Sequence, residues 1–470
     1  MIRDLLGGRS GEVAVIGIGK SGTSAATLLA RAGISVYASD AGDSTAALAA
    51  GATLRNVGVD VQTGGHDLVR IGRAALVVAS PGVPPSATPL GTARAADVPI
   101  VSEIEVALAA MPHLRYIAVT GTNGKTTTTA LTGHLLRALG HDAVDAGNIG
   151  TPLADYALLA HPPAWAALEM SSFQLHDTPS LRPTVGVVTN LSPDHLDRYR
   201  SVDEYYADKS LIFRNPHAGS KWVLNADDPA VGTLDKRRPA YLANREFLNG
   251  TTWRFSLARA AEAWYDRTRA QLMIFGETLL SRTDLQLVGD HNVANALAAA
   301  LAVMVADVTH QTPGARTLVA AALRTFRALP HRLETIGDYG DVVWINDSKA
   351  TNVSSTVVAL QGMAKPTVVL LGGRHKGEAY TALIEPLKAH ARAVIAYGEA
   401  GGLIEKDLKG HVPLERMGSS FEQVIARARR LAQPGDAVLL SPACSSYDMF
   451  ANYEERGRTF AALAAGAAAT

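Results

Sequence analysis

Only one cysteine, Cys444, occurs among 470 residues. An internal disulfide framework and a cysteine-rich metal centre are therefore excluded, and the composition suits a reducing compartment. Charge of one sign is not in excess, because Lys plus Arg and Asp plus Glu stand at 44 each. Proteins that hold nucleic acid or an anionic membrane surface normally carry a basic surplus. No apolar run approaches the roughly 20 residues of a membrane span. The opening MIRDLLGGRSGEVAVIG lacks the long apolar stretch that follows a basic region in a secretory signal. The expectation is a cytoplasmic protein with no nucleic-acid partner and no membrane insertion. Hydrophobic residues make up 47% of the chain, enough for sizeable cores and too many for wholesale disorder. The length suits about three domains.

Short β-branched runs alternate with Ala/Leu-rich helical stretches. EVAVIG (12–17) is followed by SGTSAATLLARAG, whose last glycine is placed to close a helix. ISVYASD (34–40), AALVVASPG (74–82) and VPIVSEIEVALAAM (98–111) continue this series. RYIAVTG (115–121), WAALEMSS (165–172) and PTVGVVTNLSPDH (183–195) form a second, and DVVWINDSK (341–349), PTVVLLGG (366–373), RAVIAYG (392–398) and DAVLLSPA (436–443) a third. Such alternation predicts parallel sheets covered by helices, an α/β chain. Breaks at MPHL and ALPHRLE place the boundaries near residues 110 and 329, giving domains 1–110, 111–328 and 329–470. The region 236–285 differs. It reads as β-strands joined by short turns, a small antiparallel excursion of the middle domain. The alanine-rich end AALAAGAAAT is expected to fray.

The polar signatures follow the strands, at the carboxyl ends where open α/β sheets hold ligands. In GIGKSG, Gly17, Gly19 and Gly22 follow a strand, and Asp40 ends the next one. Glycines permit close approach of a phosphate, and an acid further on suits a sugar hydroxyl or base edge. Packing alone also selects glycine in βα turns, and the motif specifies a nucleotide-like ligand without specifying NAD. In AVTGTNGKTTTT (118–129), strand, loop, Lys125, Thr126 and a helix agree on a phosphate loop. Backbone N–H groups of Gly121, Thr122, Asn123, Gly124 and Thr127 and the helix N-terminus face the anion, Lys125 brings mobile charge, and Thr126 is a Mg²⁺ ligand. The loop departs from GxxxxGK[ST], since Val119 stands where the first glycine belongs. Leu131, Leu135, Leu136 and Leu139 share roughly one helix face, which ends at Gly140.

Glu169 ends a strand of the same domain, where a carboxylate completes a Mg²⁺ shell or is merely a solvated charge. In NLSPDHLDRY (190–199), Ser192 and Pro193 suit the opening of a helix, and His195 is a ligand or an ordinary polar histidine. Lys209 sits on a predicted helix, where a surface position is the plain expectation. WINDSKATN (344–352) and LLGGRHKG (370–377) are polar loops directly after strands. They gather Asp347, Lys349, Arg374 and Lys376 on one edge of a third domain, with SPACSSYDMF (441–450) beside them. Cys444 has no evident His/Asn partnership and reads as a buried small residue. Arg332, in the hinge-like LPHRLE, is placed to reach a phosphate across a domain gap.

Together these motifs resemble the Mur ligases, ATP-dependent amide-forming enzymes of peptidoglycan precursor synthesis, over nearly the whole chain. GTNGKTT, GNIGTPL (147–153), EMSSFQL, NLSPDHLDRY, DHNVANALAA (290–299) and LPHRLE carry the resemblance. INDSKATN with SPACSSYD points to the D-glutamate-adding branch, and GIGKSG suits that branch and the L-alanine-adding one. The DNPR segment of the diaminopimelate- or lysine-adding branch is missing. The resemblance implies a Rossmann-like first domain, a P-loop ATPase-like middle domain and a Rossmann-like last domain. It implies a monomer that joins D-glutamate to UDP-N-acetylmuramoyl-L-alanine through an acyl phosphate, with ATP and two Mg²⁺ ions.

Carried over by position, Gly19, Lys20, Ser21 and Gly22, Asp40 against uracil and Gly82 near the diphosphate hold the UDP part. Asn148, Ser171, Gln174 and His195 hold the muramoyl-alanine end. Lys125, Thr126 and Glu169 serve ATP and one metal, and His195 and a carbamylated Lys209 serve the second. Asn292, Asn295, Arg332, Asp347 and Lys349 contact ATP. Thr351, Lys376, Ser446 and Tyr447 hold D-glutamate, with Tyr453 nearby. Lys125, His195, Lys209 and Lys349 are the expected catalytic set. Three other readings remain open at this point: the L-alanine-adding branch, an NAD-dependent oxidoreductase suggested by GIGKSG with Asp40, and a nucleotide-gated binding module. A folylpolyglutamate synthase-like reading is weaker, because that phosphate loop usually ends GKGS.

Overall fold

The computed structural model of the chain describes residues 2–195, 198–242 and 249–466. Its three sheets fall into two compact units, one comprising the chain up to Ser281 with Ala294–Leu323, the other Arg282–Val293 with Arg324–Thr470. No helix among the described residues is long and apolar enough to cross a membrane.

The first sheet contains β1 (Val13–Ile16), β2 (Val36–Asp40), β3 (Asp60–Thr63), β4 (Leu76–Ala79) and β5 (Ile100–Ser102) in the order β3-β2-β1-β4-β5. All pairs are parallel. Every residue of β1 and β4 is buried, as expected of central strands covered on both faces. The chain leaves β1 towards β2 on one side and later returns to β4 on the other. The strand order thus reverses between β1 and β4, and their carboxyl ends form the crevice in which such sheets take ligands. The stretch 98–111 divides into β5 and the helix Glu103–Ala110, capped by Ser102 on the N–H of Glu105.

The second sheet holds β6 (Arg115–Thr120), β7 (Ala143–Gly147), β8 (Trp165–Glu169), β9 (Val185–Val188), β10 (Lys221–Asn225), β11 (Thr251–Ser256), β12 (Ala263–Asp266), β13 (Gln271–Ile274) and β14 (Glu277–Ser281). The order is β14-β13-β12-β11-β10-β9-β6-β8-β7. The antiparallel strands expected in 236–285 extend this sheet's edge rather than forming a small sheet of their own. Only the β12–β13 and β13–β14 pairings are antiparallel, while β10 with β11 and β11 with β12 pair in parallel. Phe275 and Gly276, both at positive φ, make the two-residue turn that fits the strand twist between β13 and β14.

The first two sheets share one apolar core, in which Ile104, Val106, Ala107 and Met111 meet Leu153, Ala154, Leu175 and Leu181. Polar bonds also join them. Ser24 Oγ donates to Asp155 at 2.6 Å, Ser102 Oγ and Thr178 Oγ1 lie 2.7 Å apart, and Glu105 accepts from the N–H of Ser180. Glu103 accepts from the N–H of Ala154 while its second oxygen is buried without a partner. Burial pushes its carboxyl up to about 7, the Ala154 N–H opposes the rise, and neighbouring Asp155 adds to it. The sign follows from linkage. A carboxyl whose folded value lies above its ordinary 4.5 contributes most below that pH and loses the contribution as pH rises through about 7. Glu103→Gln should remove this dependence. Thermal denaturation at pH 5 and pH 8 should show the parent losing up to about 3 kcal/mol that the variant retains, and equal losses would contradict this account.

The third sheet contains β15 (Glu334–Asp338), β16 (Val343–Asn346), β17 (Thr367–Gly372), β18 (Ala391–Tyr397), β19 (Leu414–Arg416) and β20 (Ala437–Leu440), in the order β15-β16-β20-β17-β18-β19. Only β15 is antiparallel to its neighbour. The helix Tyr453–Ala464 covers one face through Phe460 and Ala464. The alanine-rich end is helical as far as Ala464, and its last four residues lie outside the described ones.

Candidate active site

The phosphate loop owes its shape to strand order. β6 lies between β8 and β9, so the residues leaving those strands flank the loop that leaves β6. On one side Glu169 ends β8. On the other, Thr189 and Asn190 follow β9. Asn190 accepts from the N–H of Asn123 at 2.9 Å through Oδ1 and from the N–H of Thr122 at 2.8 Å through its carbonyl. Its Nδ2 and Thr189 Oγ1 both donate to the Asn123 carbonyl. Thr122 Oγ1 exchanges bonds with the backbone of Ser192. The loop is strapped to its neighbour along its length.

Both glycines of the loop are sterically required. Gly121 has φ +140°, and a Cβ there would stand 2.0 Å from Thr189 Oγ1. Gly124 has φ +81°, and a Cβ would meet Asn295 Oδ1 at 2.4 Å. Asn295 also accepts from Thr128 Oγ1 at 3.2 Å. Gly124→Ala should cost about 1–2 kcal/mol through its left-handed backbone alone and should displace Asn295. A lower melting temperature with weakened nucleotide binding is expected, and unchanged values in both would refute the steric account.

Lys125 opens the helix Lys125–Ala138 and bends back over the loop, its Nζ donating to the carbonyls of Gly121 at 3.0 Å and Thr122 at 2.8 Å. Thr126, the next residue, is nearly buried. Leu131, Leu135 and Leu136 are buried as the spacing predicts, and Gly140 stands at φ +86° just past the helix.

Lys209 departs from the surface position that a polar helix suggests. It is 1% exposed near the end of the helix Val202–Ser210. Its Nζ lies 4.7 Å from the Tyr205 ring centre and donates to Gly121 O at 2.7 Å. Two lysines therefore converge on one carbonyl oxygen. Burial first, and the charge of Lys125 second, hold the Lys209 amine well below the ordinary lysine range, against the opposing pull of Asp194, Glu169 and Asp208.

Glu169 is 2% exposed, takes Asn148 Nδ2 on Oε1 at 3.0 Å, and keeps Oε2 buried with no partner. Asn148 follows β7, the strand next to β8, and its own N–H is bonded to the Glu169 carbonyl. Such an unpartnered oxygen fits a magnesium ion, which takes one or two carboxylates together with phosphate oxygens and water. Among the described residues no group of three or more His, Cys, Asp or Glu is arranged around a metal position.

His195 has φ +54°, a conformation that histidine tolerates better than most side chains. Its N–H is held by Asp194 Oδ1 at 2.8 Å, and its ring lies edge-on to Phe173 with centroids 5.7 Å apart. Ser171 and Gln174 form a reciprocal capping box on the helix Ser172–His176. The amide nitrogen of Gln174 remains buried without a partner.

At the crevice of the first sheet, Asp40 accepts the N–H of Ile18 at 2.9 Å and of Gly42 at 2.8 Å, fixing the turn that presents Gly19–Gly22. The glycines of that turn divide by role. A Cβ on Gly22 would stand 1.8 Å from Gly17 O, a packing demand, whereas Gly19 and Gly82 face open space. Ser80 Oγ, bonded to Gly17 O at 2.6 Å, ties the β4 exit to the β1 turn. Lys20 opens the helix Lys20–Arg31, with Ser21 behind it. A cavity of about 610 Å³ lies here, lined by Gly19, Lys20, Asp40 and Asp155 among others.

The remaining expected site residues, apart from Asn295, lie in the second unit. Asn292 Nδ2 is bonded to Val288 O at 2.8 Å. Arg332 sits between His331 and Leu333, both at positive φ. Adjacent strands β16, β20 and β17 deliver three loops to one sheet edge, bearing Asp347 to Thr351, Ser441 to Tyr447, and Arg374 to Lys376. Asp347 accepts from Ser441 Oγ at 2.8 Å, and burial pushes its carboxyl up to about 7. Lys349 Nζ lies 3.8 Å from the Tyr453 ring centre, and Lys376 Nζ donates to Thr351 Oγ1 at 3.3 Å. Ser446 is buried and Tyr447 exposed. Cys444 is buried, as expected; burial pushes its thiol up to about 11, against the hydrogen bond to Tyr380 Oη at 3.0 Å. Thr189, Asn190, Tyr205 and Arg456 escaped sequence reasoning as site builders. Asn190 at a strand exit beside the loop was the one available signal.

Three family profiles match in succession. They are the Mur ligase MurD-like N-terminal domain over residues 11–102, the Mur ligase middle domain over 119–303 and the Mur ligase glutamate ligase domain over 331–444. The UDP-N-acetylmuramoylalanine–D-glutamate ligase of Salinibacter ruber is 39% identical across 97% of this chain and 98% of its own length. Its counterpart in Methylobacillus flagellatus is 38% identical across 96% and 95%. The same fold occurs in UDP-N-acetylmuramate-alanine ligase of Thermotoga maritima, with TM-score 0.58 and 21% identity over 96% of this chain and 98% of that one. A pseudomurein peptide ligase type C from Methanothermus fervidus matches with TM-score 0.57 and 22% identity over 92% and 96%. With relatives more than a third identical over nearly their whole length, and with three Mur ligase domain profiles matched in succession, the chain belongs to the Mur ligase family.

Proposed function

We propose that this chain joins D-glutamate to UDP-N-acetylmuramoyl-L-alanine at the expense of ATP, forming an amide bond in peptidoglycan precursor synthesis. The acceptor and donor follow from the near-full-length relatives. The observation that carries the chemistry is the pair of lysines meeting at Gly121 O, one on a phosphate loop and one buried with a depressed pKa.

A carboxylate resists an amine because it is anionic and has no leaving group. Transfer of the terminal phosphoryl of ATP to the L-alanyl carboxylate gives an acyl phosphate and ADP. The amino group of D-glutamate then attacks the carbonyl carbon, and phosphate leaves as the amide forms. Lys125 offsets the negative charge gathered by two anions brought together. Loop N–H groups from Gly121 to Thr127 hold the phosphates. Thr126 and Glu169 would hold one magnesium ion, and His195 with a carbamylated Lys209 a second; magnesium supplies charge neutralisation on the phosphoryl oxygens. Lys209 suits this because only a neutral amine adds CO₂, and burial beside Lys125 favours the neutral form.

Residues 1–110 take the UDP part with Gly19 to Gly22, Asp40 and Gly82. Asn148, Ser171, Gln174 and His195 take the muramoyl-alanine end. Residues 111–328 take ATP, with Asn292 and Asn295. Residues 329–470 bring Arg332, Asp347 and Lys349 to ATP and Thr351, Lys376, Ser446, Tyr447 and Tyr453 to D-glutamate. The test is phosphate release from ATP with UDP-N-acetylmuramoyl-L-alanine and, in turn, D-glutamate, L-alanine and L-lysine. Release with D-glutamate alone is expected. Equal release with another amino acid, or with none added, would refute the assignment.

A further inference from the structure

Arg456 is the largest charged side chain fully enclosed in the second unit, at 0% exposure. No carboxylate lies within ion-pair distance of it among the described residues, although its charge acts on the Asp347 carboxyl. A buried guanidinium without a counter-charge is costly unless each N–H is bonded. Here all are engaged. Nε donates to Ser348 Oγ at 2.9 Å, Nη2 to Ser348 O at 2.8 Å and to Cys444 O at 3.2 Å, and Nη1 to Cys444 O at 3.2 Å and to Gly372 O at 3.5 Å. These acceptors mark three different strand exits, Ser348 after β16, Gly372 as the last residue of β17 and Cys444 after β20. Ser348 lies between Asp347 and Lys349, Gly372 begins the glycine pair that leads to Lys376, and Cys444 precedes Ser445 and Ser446.

Other bonds tie these segments only in pairs: Ser441 Oγ donates to Asp347 at 2.8 Å, Lys376 Nζ to Thr351 Oγ1 at 3.3 Å, and the N–H of Gly372 to Pro442 O at 3.0 Å. The second and third are joined by the bridge between Arg374 and Ser445. The glycine pair permits close approach but adds no side-chain hold: a Cβ on Gly373 would stand 2.1 Å from Ser445 O. Arg456 alone among these side chains bonds to all three loops. A lysine carries one compact charge and three donors, so it cannot match the planar five-donor fork.

We infer that Arg456 is a positioning residue that sets the mutual register of the three loops presenting Lys349, Lys376 and Ser446. This inference rests on the D-glutamate and ATP roles proposed for those loops. Arg456→Lys and Arg456→Met test it in the full chain. Michaelis constants for D-glutamate and ATP should rise about tenfold or more in Arg456→Lys, and further in Arg456→Met. That for UDP-N-acetylmuramoyl-L-alanine should stay within about twofold. A merely structural role lowers kcat through loss of folded protein and leaves all three constants unchanged; that pattern, or wild-type kinetics in Arg456→Lys, overturns the inference.

Should Arg456→Met fail to fold, Arg456→Lys decides the matter. Amide hydrogen exchange gives a readout independent of substrate identity. Exchange over 347–349, 372–377 and 443–446 should accelerate together in Arg456→Lys, and acceleration in one loop only, or in none, overturns the inference. If the parent protein releases no phosphate with D-glutamate, the functional proposal fails, and the exchange result still judges Arg456.

Discussion

Lys125→Ala lowers turnover by about a thousandfold or more while leaving the melting temperature close to that of the parent. The side chain is half-buried and spends its bonds on two carbonyls of its own loop. Removing it leaves Gly121 O still bonded to Lys209 and frees only the Thr122 carbonyl, so the fold loses little. The loop itself is strapped by Asn190, Thr189 and Ser192, none of which depends on Lys125. What disappears is the mobile charge that offsets repulsion as phosphoryl and carboxylate oxygens approach. Steady-state kinetics with thermal melts checks this. Turnover within tenfold of the parent, at unchanged stability, would remove Lys125 from the chemistry.

Lys209→Ala is expected to lose activity by about a hundredfold or more and to regain part of it in millimolar formate or acetate. The variant leaves a cavity beside Gly121 O where a small carboxylate can supply the oxygens that a carbamate supplies in the parent. The pH dependence has a definite sign. Carbamate formation requires the neutral amine, and burial near Lys125 lowers the Lys209 pKa. Carbamylation is thus present above that lowered value and is lost as pH falls through it, well below the range of an ordinary lysine. Stripping CO₂ from the parent should reduce activity, and bicarbonate should restore it. Full activity in Lys209→Ala, or a parent insensitive to CO₂, would contradict the carbamate.

The α/β class, the strand exits that carry chemistry and the phosphate loop were legible because each is local. A β-branched run, a glycine turn and a following helix sit within about thirty residues. Strands β3, β7 and β19 were not, because DVQT, AVDAG and LER are short and contain no run of consecutive β-branched residues. The two-residue turn at Phe275 and Gly276 was covered by the expectation of antiparallel strands. Their attachment to the main sheet was not, since pairing of β10 with β11 joins residues some thirty positions apart.

Lys209 shows where local pattern fails. Its helix reads VDEYYADKS, with four of its nine residues charged and no regular apolar stripe, and its burial comes from Tyr205 and the loop at Gly121, 88 positions away. Arg456 is hidden for the same reason, inside the charged segment YEERGRTF, with its partners 12, 84 and 108 positions distant. Ser171 and Gln174 carry a capping-box spacing as well as a site motif. The fold uses them as a cap, while the unpartnered Gln174 nitrogen remains available to a ligand.

In the proposed chemistry ATP converts an unreactive carboxylate into an electrophile for an amine. The most direct measurement supplies UDP-N-acetylmuramoyl-L-alanine labelled with ¹⁸O in its L-alanyl carboxylate, together with ATP, magnesium and D-glutamate, and follows the label into phosphate. Direct phosphorylation of that carboxylate predicts one labelled oxygen in the phosphate released for each amide formed. Amide formation with unlabelled phosphate would contradict it.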